Sequence, residues 1–194
     1  MKKKLIVILL FLMLGASLYA QQAGQSIFGF RIGYAWGLWS GFAPGESNLS
    51  MFDNNNELPF NFALYYAFAF RDNLSVQVEL HVMEQGMEWR DGYYWWWWTI
   101  GMLDIPVLFR YNFFHGLLGF MAGPHFAFPI DPNDVLPSNA PSMTFGGTAA
   151  LQGIMPLGQR ARLVGDLRLI VDFNRVANVR RQSLAISAGL EWLF

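Results

Sequence analysis

The feature that most constrains this chain is a strict period-two alternation of very large apolar side chains with small or charged ones. In SIFGFRIGYAWGLW (Ser26–Trp39), Phe28, Phe30, Ile32, Tyr34, Trp36 and Leu38 occupy the even positions, and Gly29, Arg31, Gly33, Ala35 and Gly37 the odd ones. LPFNFALYYAFAF repeats the split, with Phe60, Phe62, Leu64, Tyr66, Phe68 and Phe70 opposite Asn61, Ala63, Tyr65, Ala67 and Ala69. LSVQVELHV does so again, with Leu74, Val76, Val78, Leu80 and Val82 against Ser75, Gln77, Glu79 and His81. Period two is the signature of strands with two unlike faces. A soluble sandwich would cover its apolar face with a second sheet and leave the other face openly hydrophilic. Here the second face is small or sparsely charged, which suits the inside of a narrow barrel whose outside meets lipid.

Five further segments phase the same way. They lie at about 99–112, 117–128, 144–155, 161–173 and 181–194, which makes eight strands in all. Short turns follow the second, fourth and sixth strands. Longer connections fall at about 40–57, 84–98 and 129–143, and a short one (NRVANV) joins the last two strands. Short turns on one side and longer loops on the other describe an all-β, eight-stranded antiparallel transmembrane β-barrel, an up-and-down meander. Pro106 and Pro124 lie inside strands and each removes a ladder hydrogen bond, so a bulge or a lumenal water is expected beside them. No apolar run after Leu14 is long enough for a spanning helix.

The N-terminus predicts export. Lys2, Lys3 and Lys4 precede an apolar run from Leu5 to Leu14 and small residues up to Ala20, the layout of a signal peptide over residues 1–20, with the barrel domain at 21–194. Leu18 fits the small-residue rule poorly, so the cut after Ala20 is approximate. All lysines lie in that segment, which leaves ten arginines against fourteen acids and a net charge of −4 for the remainder. A chain of that charge with no basic run is a poor nucleic-acid binder. No cysteine is present, which excludes disulfides and thiolate metal sites.

Three short motifs carry a resemblance. MLDIPVLFRY (Met102–Tyr111), GFMAGPHF (Gly119–Phe126) and the final SLAISAGLEWLF resemble strands of the outer membrane protein beta-barrel domain family, the OmpA/OmpX-type eight-stranded barrels. The resemblance implies residence in the cell outer membrane and insertion by the barrel-assembly machinery. It implies no shared activity and transfers no catalytic set. The closing pattern Leu190, Trp192, Phe194 is similar to the C-terminal assembly signal of such barrels.

The phasing turns Arg31, Arg110, Arg162, Arg168 and Arg181 inward together with Glu79, Asp104, Asp166, Asp172 and Glu191, five charges of each sign. An eight-stranded barrel is filled by its own side chains, and buried charges must pair. A structural plug of Arg–carboxylate bridges is therefore expected, with an ion path or proton relay as the competing reading. His81, His115 and His125 have neither metal-ligand spacing nor a serine two residues away, so no catalytic residue, metal or cofactor is expected. Asp53–Glu57 and PIDPNDVLP read as solvated loops.

Trp95, Trp96, Trp97 and Trp98 form an unbroken run, and Trp89 lies close by in sequence. Counting from Phe113 at about 2.5 Å of height per residue places the run at or above the outer headgroups. Alternation sends Trp95 and Trp97 outward to an aromatic belt and Trp96 and Trp98 to the mouth. The expected role is structural or surface-interacting, in a monomer surrounded by outer-membrane lipid, with no surface partner indicated. The alternative is a small channel for hydrophobic solutes entering by the Trp-rich mouth; a lipid-modifying enzyme ranks third.

Overall fold

The computed structural model describes residues 22–41, 50–51, 60–91, 94–130, 142–174 and 179–194. Eight strands build the wall: β1 Ser26–Gly41, β2 Phe60–Arg71, β3 Leu74–Asp91, β4 Tyr94–Phe113, β5 Leu118–Ile130, β6 Thr144–Pro156, β7 Ala161–Asp172 and β8 Val179–Leu193. A two-residue strand, Ser50–Met51, adds to the end of β1. Each wall strand pairs antiparallel with the next, and β1 pairs with β8 from Ile27–Leu193 to Gly41–Val179, so the sheet closes on itself. The eight-stranded antiparallel meander is the architecture that the alternation predicts.

The register fixes the barrel's shape. From Ser26 the Cα partners run Phe68, Val76, Phe109, Ala122, Ala149, Leu169 and Leu184, and return to β1 at Trp36. A displacement of ten residues over eight strands tilts the strands by about 40° and leaves an interior that side chains alone can fill. The start of β1, Phe194 and the turns at Asp72–Asn73, 114–117 and 157–160 share one end. Asn73, Phe114, His115 and Gly116 take positive φ there, which lets these connections stay short.

The two faces are inverted relative to a soluble protein. Every strand turns large apolar residues outward, with Ile32, Tyr66, Leu80, Phe109 and Leu167 about half exposed or more, while the charged residues of the inner face are buried. On β2 the outward apolar residues run from Phe60 to Phe70. At the estimated tilt that spans roughly 25 Å, the height of a bilayer's hydrocarbon. Such an exterior requires a hydrocarbon solvent.

Two expectations change. The stretch at about 84–98 is not a loop: β3 continues to Asp91 and β4 begins at Tyr94, paired from Glu84–Gly101 to Asp91–Tyr94. Among the described residues, β2 pairs with β3 no further than Met83, and β5 with β4 no further than Ile130, so this part is a two-stranded ribbon beyond the wall. Gly86 and the nearby acids break the lipid-facing pattern, yet a ribbon needs only backbone pairing. Of the two alternatives at the prolines, the bulge is not the one taken. The β3–β4 pairing skips Ile105 and Pro106, the β4–β5 pairing skips Val107 and Leu108, and both resume in the same register.

One glycine seats a lumenal ring. A Cβ on Gly29 would lie 2.3 Å from the Tyr65 ring, because the ring of this cross-strand partner folds flat over the bare backbone. Gly29→Ala should evict Tyr65 and destabilise the barrel by about 1–3 kcal/mol, the usual cost of overpacking. Denaturant unfolding in detergent checks this, with Gly158→Ala as control, since a Cβ at Gly158 meets nothing within 4 Å.

Candidate functional site

The lumen holds three stacked polar groups. Nearest the termini, Arg110 on β4 grips Glu191 on β8 through two hydrogen bonds, Nη1 to Oε1 at 2.5 Å and Nη2 to Oε2 at 3.1 Å. Its Nε donates to Asn112 at 3.1 Å, and the Tyr65 hydroxyl donates to Glu191 at 3.1 Å. Arg162 is buried directly across from Glu191 in the β7–β8 register.

The central group is a ring of four residues. Glu79 on β3 bonds Arg31 on β1 at 2.6 Å and Arg168 on β7 at 2.5 Å. Asp166 on β7 bonds the same two guanidiniums at 2.7 and 3.0 Å. Ser187 donates to the second Asp166 oxygen, and Gln77 donates to Glu79 at 2.6 Å. Arg31 also lies over the Tyr65 ring, 4.6 Å from its centre, a cation–π contact. Each carboxylate therefore meets two guanidiniums, and each guanidinium two carboxylates.

In the outer group, Arg181 on β8 donates through Nε and Nη2 to Asp172 on β7, at 3.0 and 2.9 Å, and through Nη2 to Asp104 on β4 at 2.9 Å. His125 on β5 joins it, with Nε2 2.8 Å from Asp172 and Nδ1 3.1 Å from the Thr148 hydroxyl. His125 lies against Gly146, where a Cβ would meet its ring at 2.6 Å. His81 bonds Asn61 at 3.2 Å.

All ten sequence-predicted charges lie on the inner face and none is more than 4% exposed. Gln77, Tyr65, Thr148 and Ser187 complete the network and escaped the sequence reading. The inward phase of Tyr65, Gln77 and Ser187 was legible, while Thr148 lies in a Gly-rich strand with no clear phase, and uncharged side chains gave no signal of partnership. Thr148, His125 and Asp172 line up as hydroxyl, imidazole and carboxylate, yet all three are buried and Arg181 stands 3.2 Å from the imidazole. They are wired into the wall's polar network rather than presented to a substrate. His115 sits exposed in a turn. Among the described residues no group of three or more His, Asp and Glu could hold a metal ion.

The last strand seals the seam. Ser26 and Phe194 exchange backbone hydrogen bonds at 3.2 and 2.9 Å, and Trp192 stacks on Phe30 with ring centres 6.0 Å apart. The backbones of Trp89 and Trp95–Trp98 belong to the ribbon, where Trp89 is the register partner of Trp96. The side-chain directions expected for Trp95–Trp98, the place of Trp89 at the rim, the signal segment 1–20 and the loop tip Asp53–Glu57 lie outside the described residues.

Among solved structures the chain is similar to the outer membrane protein OprG from Pseudomonas aeruginosa, with a TM-score of 0.60 at 14% identity over 90% of this chain and 98% of that one. The fold is that of the small outer-membrane β-barrels. The outer membrane protein AlkL, determined by solid-state NMR in DMPC bilayers, gives a TM-score of 0.55 at 14% identity, covering 89% of this chain and 91% of that one. The N-terminal β-barrel domain of Pseudomonas aeruginosa OprF gives 0.51 at 8% identity, covering 90% and 100%. No protein-family model and no curated protein matches the chain. At these identities the likeness between outer-membrane barrels is one of backbone, and the lumenal ring must be read from this chain's own residues.

Removing Arg168 takes a cation from both Glu79 and Asp166. Arg168→Ala should cost roughly 3–5 kcal/mol, the penalty of breaking a buried pair from one side. Replacing the exposed Arg71 by Ala should change stability by less than about 0.5 kcal/mol. Urea titrations of the two variants in the same detergent check the contrast.

Proposed function

We propose that this chain is an outer-membrane protein with a closed, charge-paired lumen and a structural or surface-interaction role. The observation that carries this reading is the filling of the lumen: Arg31, Glu79, Asp166 and Arg168 meet at its centre, with further ion pairs on both sides. A conducting pore keeps a continuous file of water, whereas here guanidiniums and carboxylates neutralise one another across the bore. The signal-like residues 1–20 direct export, and the barrel-assembly machinery inserts the mature chain, reading Leu190, Trp192 and Phe194 as its C-terminal signal. Lipid is the surrounding partner, and the protein acts as a monomer. Catalysis finds no support in a hydroxyl–imidazole–carboxylate set sealed within the wall.

A second reading has one observation in its favour. The backbone of the ribbon carries five tryptophans, Trp89 and Trp95–Trp98, beyond the last described pairs that β2 and β5 make with it. Hydrophobic solutes captured there would make the protein a small transport channel.

Planar-bilayer recording separates the two readings. The refolded parent protein should give no resolved openings, and stable unitary conductance would overturn the closed lumen. The transport reading requires faster entry of an apolar dye into vesicles bearing the barrel, abolished when Trp95–Trp98 are all changed to Ser. The barrel itself should fold only in detergent or lipid and migrate faster unheated than boiled on a denaturing gel. A folded, monodisperse protein in plain buffer would refute the membrane assignment.

A further inference from the structure

The lumenal charges balance in total but not level by level. At the centre Arg31 and Arg168 face Glu79 and Asp166, two against two. In the outer group Asp104 and Asp172 share a single guanidinium, that of Arg181. All three side chains are buried, and one negative charge has no counterpart among them. A net charge held away from water is costly, and such a group ordinarily neutralises itself. The charged and titratable groups around the nearby imidazole of His125 are Asp104 on β4, Asp172 on β7 and Arg181 on β8. His81 on β3, opposite Asp104 in the register, is engaged with Asn61, and β6 presents the uncharged Thr148.

The His125 ring reaches from β5 past β6 to β7, a path left open by the bare backbone of Gly146. Asp172 sets the hydrogen on Nε2, because its carboxylate only accepts and lies 2.8 Å away. Arg181 Nη2 stands 3.2 Å from the same nitrogen, but its two hydrogens have their own acceptors, Asp104 Oδ1 and Asp172 Oδ1, each at 2.9 Å. Nδ1 faces the Thr148 hydroxyl at 3.1 Å, a group that accepts as readily as it donates. A proton added to Nδ1 completes a bond already in place, whereas Asp104 Oδ2 has no hydrogen-bond partner. We infer that His125 is held as an imidazolium, donating from Nε2 to Asp172 and from Nδ1 to Thr148, and so forms a proton-loaded latch across β5, β6 and β7. When the proton leaves, the Thr148 hydroxyl must turn round to donate, and the group keeps its surplus negative charge. Raising the external pH therefore loosens this part of the lumen. The proton site goes beyond the closed-lumen reading and stands whether or not the bore conducts.

Solid-state NMR in lipid bilayers, on protein labelled at histidine and aspartate, reads both ring nitrogens and the carboxyl carbons directly. At pH 7 the parent should show His125 protonated on both nitrogens and Asp104 ionised, with His125→Gln assigning the ring signals by their loss. A neutral His125, or a protonated Asp104, would overturn the assignment. Asp104→Asn removes one of the two negative charges and should return His125 to a neutral ring with its hydrogen on Nε2. An imidazolium that persists in this variant would show that charge balance is not what holds the proton. Raising the pH until the parent loses the Nδ1 proton should lower the side-chain order parameters of His125 and Thr148, and unchanged order would refute the latch. If Asp104→Asn fails to fold, the two measurements on the parent decide alone.

Discussion

The whole structure depends on backbone closure. In hydrocarbon an unpaired N–H or C=O has no water to turn to, so a sheet survives only if it has no edge. The seam between β1 and β8, extended by the hydrogen bonds between Ser26 and Phe194, removes that edge. Closure over eight strands with a ten-residue displacement then sets the bore, and the bore is too narrow to leave the inward side chains in bulk water. Everything else about the lumen follows from that confinement. Charges placed inside must find one another.

The nature of the cations matters. All five lumenal cations are arginine, and the sequence beyond residue 4 contains no lysine. A planar guanidinium can serve two carboxylates at once from separate edges, as Arg31 does with Glu79 and Asp166. An ammonium concentrates its charge at one point and is more strongly hydrated. The ring and the Arg181 bridge between Asp104 and Asp172 both use the forked geometry.

Most of the wall was legible in the sequence because lipid enforces alternation. Phe28 through Trp36 can point only one way in each strand, so phase, strand count and inward charges follow directly. Legibility ended where lipid stops acting. The ribbon carries no lipid-facing pattern and read as a loop, although Glu84–Asp91 pairs with Tyr94–Gly101 residue by residue. Pro106 read as a disturbance of register, whereas strong pairing on both sides carries the register past it. Pairing partners were also beyond reach, since Arg31 and Asp166 meet through barrel curvature rather than through any local spacing. Seating is equally invisible: nothing in the letters says that Gly29 is bare so that Tyr65 can lie on it.

The central ring also imposes an order of events on assembly. Arg31 belongs to the first strand, Glu79 to the third, and Asp166 and Arg168 to the seventh. Partners so far apart along the chain meet only after most of the wall has formed, because each long loop must be closed first. Until the strand bearing Asp166 and Arg168 and those bearing Arg31 and Glu79 are closed into one wall, each half of the ring lacks its partners and depends on water for solvation. The two halves of the ring therefore meet only at closure, and the desolvation of these four charges belongs to that step.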